Sequence, residues 1–121
     1  MELTGKRIYI AGPMTGLKDF NRDAFFDAAE YLTCVVGAAV VLNPGIEPDG
    51  LKHDEYMAIG KLKLAMADAV AFLPGWQESK GAMEEFTEAI KQQLVLVKLE
   101  QRRDKAGVWT DGHGPLLIGD N

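Results

Sequence analysis

The stretch at residues 68–90 constrains the fold more than any other part of the chain. It opens with the apolar run Asp68-Ala-Val-Ala-Phe-Leu, breaks at Pro74-Gly75, and continues from Ser79 as an acidic amphipathic helix. A short apolar run with these flanks predicts a buried strand that leads into a helix N-terminus. Residues 7–16 repeat the arrangement of an apolar strand and a glycine-rich turn. Because open parallel sheets bind ligands in such crevices, the two turns together predict a nucleotide pocket.

Strand-like and helix-like segments alternate along the chain. The patterns predict strands over residues 6–11, 38–42, 70–73 and 94–99, helices over 21–32, 54–67 and 79–92, and a loop over 43–50. The strands are almost continuously apolar, which is typical of strands that are buried on both faces. We therefore expect an α/β domain with a parallel sheet and helices on both faces.

The length of 121 residues, with 47% hydrophobic content, fits one domain. The regular pattern ends near residue 99, and residues 100–105 form a charge run that we interpret as solvated. We therefore divide the chain into an α/β domain at residues 1–99 and a C-terminal tail at residues 100–121. The tail is expected to form a short edge strand over residues 116–118, a lid or a subunit contact.

The charge balance disfavours nucleic acid as a partner. Eighteen acidic and thirteen basic residues give a net charge of -5, so a sequence-independent grip on nucleic acid phosphates is not expected. A small-molecule ligand fits this charge better. His53 and His113 lack the spacing of a metal pair, and a single cysteine offers no zinc set. We predict no metal site and no cofactor.

The lone cysteine, Cys34, has no partner for an intrachain disulfide and lies in an apolar stretch. We expect it to pack in the core of a protein from a reducing compartment. The first residues contain no apolar signal core, and no apolar run approaches the about 18 residues that a membrane span needs. These features predict a cytoplasmic protein without a membrane partner.

The helix at residues 79–92 carries the candidate acid, Glu85. A rotation of about 100° per residue gives a buried stripe formed by Ala82, Phe86, Ala89 and Ile90. Glu85 lies at the edge of this stripe, whereas Glu84 and Glu88 point away. Glu85 is therefore the acid expected to reach a pocket; the alternative is a favourable charge near a helix N-terminus.

Ser79 stands where a helix N-cap is expected, with its hydroxyl bonded to a free amide. The functional alternative is that Ser79, Gly81 and the first-turn amides hold a phosphate or a sugar hydroxyl. Trp76 follows the Pro-Gly break, where a large aromatic side chain covers a ligand or anchors an interface.

The turn at residues 12–16 has neither the glycine spacing of a dinucleotide fingerprint nor the Gly-Lys-Ser/Thr of a P-loop. ATP hydrolysis is therefore unsupported. The turn offers backbone amides and the Thr15 hydroxyl beside Tyr9. The Tyr9 ring faces either a helix layer or the crevice, and both alternatives remain open.

Three pieces of the sequence resemble the nucleoside 2-deoxyribosyltransferase superfamily, and more closely its small phage and bacterial branch of uncharacterised proteins. The matching pieces are Ile8-Tyr9-Ile-Ala-Gly12-Pro13-Met-Thr15-Gly16 with Asn21 and Phe25, then Val41-Leu-Asn43-Pro44, and Asp68 through Trp76 and Ser79 to Glu85. The resemblance implies a flavodoxin-like (Rossmann-like) three-layer sandwich with a four- to five-stranded parallel sheet.

The resemblance also implies a reaction. Active members cleave the N-glycosidic bond of a 2'-deoxynucleoside or its 5'-monophosphate with a glutamate nucleophile, which corresponds to Glu85 here. It places Tyr9 beside the nucleophile, and Ser79 and Thr15-Gly16 near the 5'-hydroxyl or phosphate. The substrate-binding residues expected on this basis are Gly12, Pro13, Thr15, Gly16, Asn21, Trp76, Ser79 and Gly81.

One position departs from the pattern of active relatives, which carry an aspartate eight residues before Asp68 to serve the leaving base. Here that residue is Gly60. Tyr56 and His53 lie one and two turns earlier on the same helix face and are candidate substitutes. If the chain is a weakened glycosidase, Gly60→Asp is expected to raise turnover. Alternatively, Gly60 makes room for a ligand.

The sequence thus predicts N-glycosidic bond cleavage or base exchange on a deoxynucleoside or its monophosphate. The alternatives are a non-catalytic nucleotide-binding module, which Gly60 favours, and a structural or partner-binding role through Trp76 and the tail. A homo-oligomer is expected from an exposed Trp76 loop, the glycine-rich tail and the relatives' shared pockets.

Overall fold

The computed structural model describes residues 3–99 and 115–117. Along the chain these residues form β1 (Arg7–Ala11), α1 (Arg22–Tyr31), β2 (Val40–Leu42), α2 (His53–Ala65), β3 (Ala69–Phe72), α3 (Lys80–Lys91), β4 (Val95–Leu99) and β5 (Pro115–Leu117). Short 3-10 turns cover Lys18–Asn21, Pro44–Ile46 and Trp76–Glu78. The alternation of strands and helices predicted from the sequence is confirmed, with bounds that differ by one to two residues at most ends.

One sheet holds all of these strands in the order β2-β1-β3-β4-β5. The first four strands are parallel, and β5 pairs antiparallel with β4. The order is that of flavodoxin-like folds. In these folds β2 pairs with one edge of β1, and the chain then crosses to the other edge of β1 to form β3. The expected α/β fold with a four-stranded parallel sheet is confirmed, while the additional strand is antiparallel. Of the alternatives for the tail, an edge strand is shown over Pro115–Leu117, and the rest of residues 100–121 lies outside the described part.

Alternate strand residues supply two separate cores. Ile8, Ile10, Ala71 and Val97 pack on one face of the sheet against α1. Tyr9, Ala11, Val70 and Phe72 pack on the opposite face, with Leu64 of α2 and Ala82 and Ala89 of α3. The central strands β1 and β3 are therefore buried on both faces, which explains their nearly unbroken apolar sequences.

The expectation that Cys34 packs in the core is wrong, because its side chain is exposed. Helix α1 passes into a π-helical turn at Leu32–Val36. The wider turn keeps Leu32 buried and rotates the next three residues toward solvent.

Two further expectations about exposure are wrong. Ile90 was expected in the buried stripe of α3 but is 52% exposed, because the stripe runs through Ala82, Glu85 and Ala89 instead. Trp76 was expected in an exposed loop but is only 8% exposed. Its ring centroid lies 4.7 Å from that of Phe72 and 5.1 Å from that of Phe86. One of the grounds for expecting a homo-oligomer is thereby removed.

Among the described residues, no helix has the length and apolar character that crossing a bilayer requires.

Candidate functional site

A cleft opens at the carboxyl ends of β1, β2 and β3, where the order of the strands reverses. The cleft has a volume of about 90 Å³, which is several times what one water molecule needs. Its walls come from the turn after β1, the loop after β2, one face of α2 and the first turns of α3. Flavodoxin-like sheets bind their ligands at this switch point.

The floor of the cleft holds a buried pair, Tyr9 and Glu85. Tyr9 on β1 is 1% exposed and Glu85 on α3 is 8% exposed. The Tyr9 hydroxyl donates a hydrogen bond to Oε2 of Glu85. The pair thus joins the central strand to α3, and both residues line the cleft. The prediction that Glu85 is the inward-pointing acid of the helix is confirmed, and Glu84 is exposed as expected.

Burial changes the protonation of both members of the pair. It raises the pKa of Glu85 from 4.5 to about 7, although the hydrogen bond from Tyr9 acts in the opposite direction, and the charge of Glu84 raises it further. Burial also raises the pKa of Tyr9 well above 10.0, with a further rise from the neighbouring charge of Glu85. Tyr9 is therefore a neutral donor near pH 7, while Glu85 exchanges its proton there. A strongly perturbed carboxyl in a cleft is a mark of functional sites.

Gly60 on α2 lies directly against this pair. A Cβ atom at position 60 would stand 2.7 Å from Oε2 of Glu85 and 2.9 Å from the Tyr9 hydroxyl. Both distances are shorter than a side chain tolerates, so any larger residue would displace the pair. An aspartate at position 60 would therefore have to move the Tyr9–Glu85 pair, and the expectation that Gly60→Asp raises turnover stays a prediction. Gly60 makes room for the Tyr9–Glu85 pair itself.

Ser79 is the N-cap of α3, as predicted. Its Oγ accepts a hydrogen bond from the Ala82 amide at 3.2 Å, and its own hydrogen remains able to donate. Ser79 and Gly81 both line the cleft. The first turn of α3 thus faces the same space as the Glu85 carboxyl, but its expected role in holding a phosphate or sugar hydroxyl stays a prediction.

The turn after β1 contributes part of what was expected. Gly12 and Thr15 line the cleft, whereas Pro13 and Gly16 are not among its lining residues. A Cβ atom at Gly12 would lie 2.8 Å from that of Leu73, so glycine lets the ends of β1 and β3 approach each other. Asn21 supports the turn from behind, because its Nδ2 donates to the Pro13 carbonyl at 3.0 Å.

Trp76, expected to contact the substrate, does not line the cleft. It packs with Phe72 and Phe86 in the core between the sheet and α3. Among the described residues, no cluster of three or more metal-ligating side chains is present. His113 lies outside the described residues.

The two candidate substitutes on α2, Tyr56 and His53, both line the cleft but differ in their partners. The Tyr56 hydroxyl donates to the Pro48 carbonyl at 2.6 Å and accepts from the Leu51 amide. Its proton is therefore committed to the loop. His53 lies at the first turn of α2, with Nε2 4.0 Å from a carboxylate oxygen of Glu84. The imidazole is half-exposed and free to reach a ligand.

Sequence reasoning missed the charged wall of the cleft, formed by Arg22, Glu47 and Lys63. Lys63 pairs with Glu47 and also donates to the Asn43 carbonyl. Lys63 lies three residues after Gly60 on α2, so helical spacing was a usable signal for its place in the cleft. Arg22 and Glu47 are 25 residues apart, and no local pattern relates them.

We predict that Gly60→Ala displaces Glu85 and destabilises the protein, although alanine is the better helix former by about 1 kcal/mol. Overpacking of this kind typically costs about 1–3 kcal/mol. Urea denaturation measures the effect. The control is Ala58→Gly, an exposed position of the same helix, which reports helix propensity alone. A Gly60→Ala variant more stable than the parent would contradict the close contact.

The raised pKa of Glu85 predicts a specific dependence of stability on pH. The folded state holds the Glu85 proton more tightly than the unfolded chain does. The stabilisation that comes from this tighter binding is fully present below pH 4.5 and is lost as the pH rises through about 7. Glu85→Gln removes this titration. The free energy of unfolding of Glu85→Gln, relative to the parent, should therefore increase from pH 4.5 to 8, by on the order of 3 kcal/mol. Glu30→Gln, at an exposed position of α1, serves as the control, and a flat difference for Glu85→Gln would refute burial of the carboxyl.

Comparison with known proteins identifies a family without an assigned activity. Residues 6–98 match the family described as Domain of unknown function (DUF4406). This range contains β1 through β3, all of β4 except Leu99, and every residue that lines the cleft. Among curated proteins, none matches the chain. Because the match covers well over half of the 121 residues, the chain belongs to the DUF4406 family.

Proposed function

We propose that this protein cleaves the N-glycosidic bond of a 2'-deoxynucleoside or its 5'-monophosphate, with Glu85 as the nucleophile. The observation that carries the proposal is the buried Glu85 carboxyl, bonded to Tyr9 at the floor of a cleft. The resemblance of the motifs around Tyr9, Ser79 and Glu85 to the nucleoside 2-deoxyribosyltransferase superfamily supports the choice of reaction. The substrate would be a small molecule rather than a nucleic acid, in keeping with the net charge of -5.

The proposed chemistry proceeds in two steps. An oxygen of the Glu85 carboxylate bonds to the anomeric carbon while the bond from that carbon to the base nitrogen breaks, and the electron pair leaves with the base. Water or a second base then attacks the anomeric carbon and releases Glu85. Tyr9 holds one carboxylate oxygen by its hydrogen bond and so fixes the orientation of the nucleophile.

The ionisation of Glu85 limits this reaction at low pH. Only the carboxylate is a nucleophile, and its pKa of about 7 means that about half of the molecules carry it at neutral pH. The rate of the first step is therefore expected to rise as the pH increases through about 7. Tyr9 stays protonated over this range, because its own pKa is raised.

The leaving base needs a proton, and Gly60 supplies none. His53 is the better of the two substitutes on α2, since the Tyr56 proton is already donated to Pro48. The imidazole lies beside the first turn of α3, because a Cβ atom at Gly81 would stand 3.8 Å from its Cε1. Histidine is a common general acid.

We predict that Glu85→Gln abolishes base release and leaves the fold intact, because it removes the charge of the nucleophile at nearly constant volume. The assay incubates the protein with a panel of deoxynucleosides and their monophosphates and measures free base by chromatography. Glu84→Gln is the matched control from the same helix. Its carboxylate is exposed and 4.0 Å from His53, and exposed pairs contribute little. Equal losses in the two variants would refute the assignment of roles.

We also predict that His53→Gln lowers the rate of base release by about 10²–10⁴-fold, the usual contribution of a general acid. Tyr56→Phe removes the hydroxyl that supports the loop and should reduce stability without a comparable loss of rate. Circular dichroism and thermal melts monitor the fold of both variants. A larger loss of rate in Tyr56→Phe than in His53→Gln would reverse the assignment.

The second candidate function is non-catalytic binding of a nucleotide or a nucleotide-derived signal. The observation in its favour is Gly60, which leaves α2 without the acid that active relatives of the resembled superfamily carry. Calorimetry with the same panel separates the two candidates. Tight binding without base release would favour the binding module.

The homo-oligomer, the cytoplasmic location and the division of the chain at residue 99 stay predictions. The ground for an oligomer that rested on an exposed Trp76 is gone, because that side chain is buried. The remaining grounds are the tail and the resemblance.

A further inference from the structure

The turn before α1 has an unusual backbone. Asp19, Phe20 and Asn21 follow one another with φ angles of 48°, 53° and 62°. Aspartate and asparagine tolerate this left-handed region, but a bulky side chain such as phenylalanine rarely adopts it. The turn therefore holds Phe20 in a conformation that costs stability.

Packing in the core does not account for this conformation. Phe20 is partly exposed and belongs to neither of the two cores nor to the partly buried side chains packed against them. Its ring lines the cleft instead. Backbone strain that core packing does not compensate is typical of residues held in place for a ligand.

Arg22 holds the ring from one side. Its guanidinium carbon lies 5.2 Å from the centroid of the Phe20 ring. The same guanidinium bonds to Asp19 and Asp49 and donates to the carbonyl oxygens of Gly45 and Glu47. Arg22 thus ties the left-handed turn to the loop after β2, and the wall that carries Phe20 is fixed before any ligand arrives.

We propose that Phe20 is the stacking platform for the base of a nucleoside or nucleotide bound in the cleft. The ring of Phe20 offers a flat aromatic surface. A nucleobase is a planar group that stacks on such a surface, and all four bases can do so because each has an aromatic face. The inference rests on the proposed function for the identity of the ligand. It places the base against the turn before α1, while the sugar reaches Glu85 at the floor of the same cleft.

The proposal predicts a loss of affinity that depends on the base. In a Glu85→Gln background, which prevents turnover, Phe20→Leu should weaken binding of all four deoxynucleoside monophosphates by about tenfold, the usual effect of losing one stacked aromatic ring. Binding of 2-deoxyribose 5-phosphate, which has no base, should not change. Calorimetry measures both. Phe20→Tyr keeps the ring and should restore affinity, and Phe26→Ala removes an exposed ring outside the cleft and should have no effect.

Phe20→Gly tests the strained backbone separately. Glycine relieves the positive φ angle, so the midpoint of urea denaturation should stay level or rise while nucleotide affinity falls. Unchanged nucleotide affinity in Phe20→Leu, an equal loss for 2-deoxyribose 5-phosphate, or no binding of any of the four nucleotides would overturn the proposal.

Base release by the otherwise unaltered protein separates this proposal from the proposed function. Base-dependent binding without base release supports the stacking platform and refutes the glycosidase. Base release with unchanged KM in Phe20→Leu refutes the platform and leaves the glycosidase standing.

Discussion

The hydrogen bond between Tyr9 and Glu85 is the interaction on which the rest of the site depends. It places a carboxyl beneath α2, between the central strand and α3, where water has little access. A buried carboxyl destabilises a protein unless hydrogen bonds or charges compensate it, and here burial outweighs the single bond from Tyr9. The fold therefore keeps a group that lowers its stability at neutral pH. Such groups concentrate at sites of chemistry.

The Tyr9–Glu85 pair fits in this position because residue 60 is a glycine. Helix α2 passes so close to the pair that a single added carbon would collide with both side chains. A glycine inside a helix ordinarily weakens it, so the close approach explains why the residue fits here despite its low helix propensity. An aspartate at this position and a Tyr9–Glu85 pair in this geometry exclude each other. Glycine at position 60 is thus part of how the cleft is built, and under the proposed function a proton for the leaving base would have to come from a different residue.

Much of this could be predicted from the sequence because it depends on local patterns. The apolar runs predicted the parallel strands. Ser79 predicted the N-cap of α3, and the spacing of the apolar residues in α3 predicted that Glu85 points inward. Features that depend on contacts between distant segments could not be predicted. Trp76 looked exposed in a loop, yet Phe72 and Phe86 bury it. Arg22 contacts residues more than twenty positions away, and the effect of Gly60 exists only because α2 lies over Glu85.

Under the proposed function, the two ends of the cleft would divide the tasks that a nucleoside-cleaving site requires. Glu85, Tyr9 and the first turn of α3 would provide the nucleophile and polar groups suited to a sugar, whereas Phe20 would provide an apolar flat surface suited to a base. The cations that line the cleft, Arg22 and Lys63, are both paired with carboxylates, so within the described residues its charged wall is largely neutralised. Recognition in this cleft would then rely on stacking and hydrogen bonds more than on net charge. The pairing of Glu47 with Lys63 also limits the repulsion between Glu47 and Glu85. An unpaired carboxylate on this wall would raise the pKa of Glu85 further. Under the proposed function, less of the nucleophile would then be ionised at neutral pH.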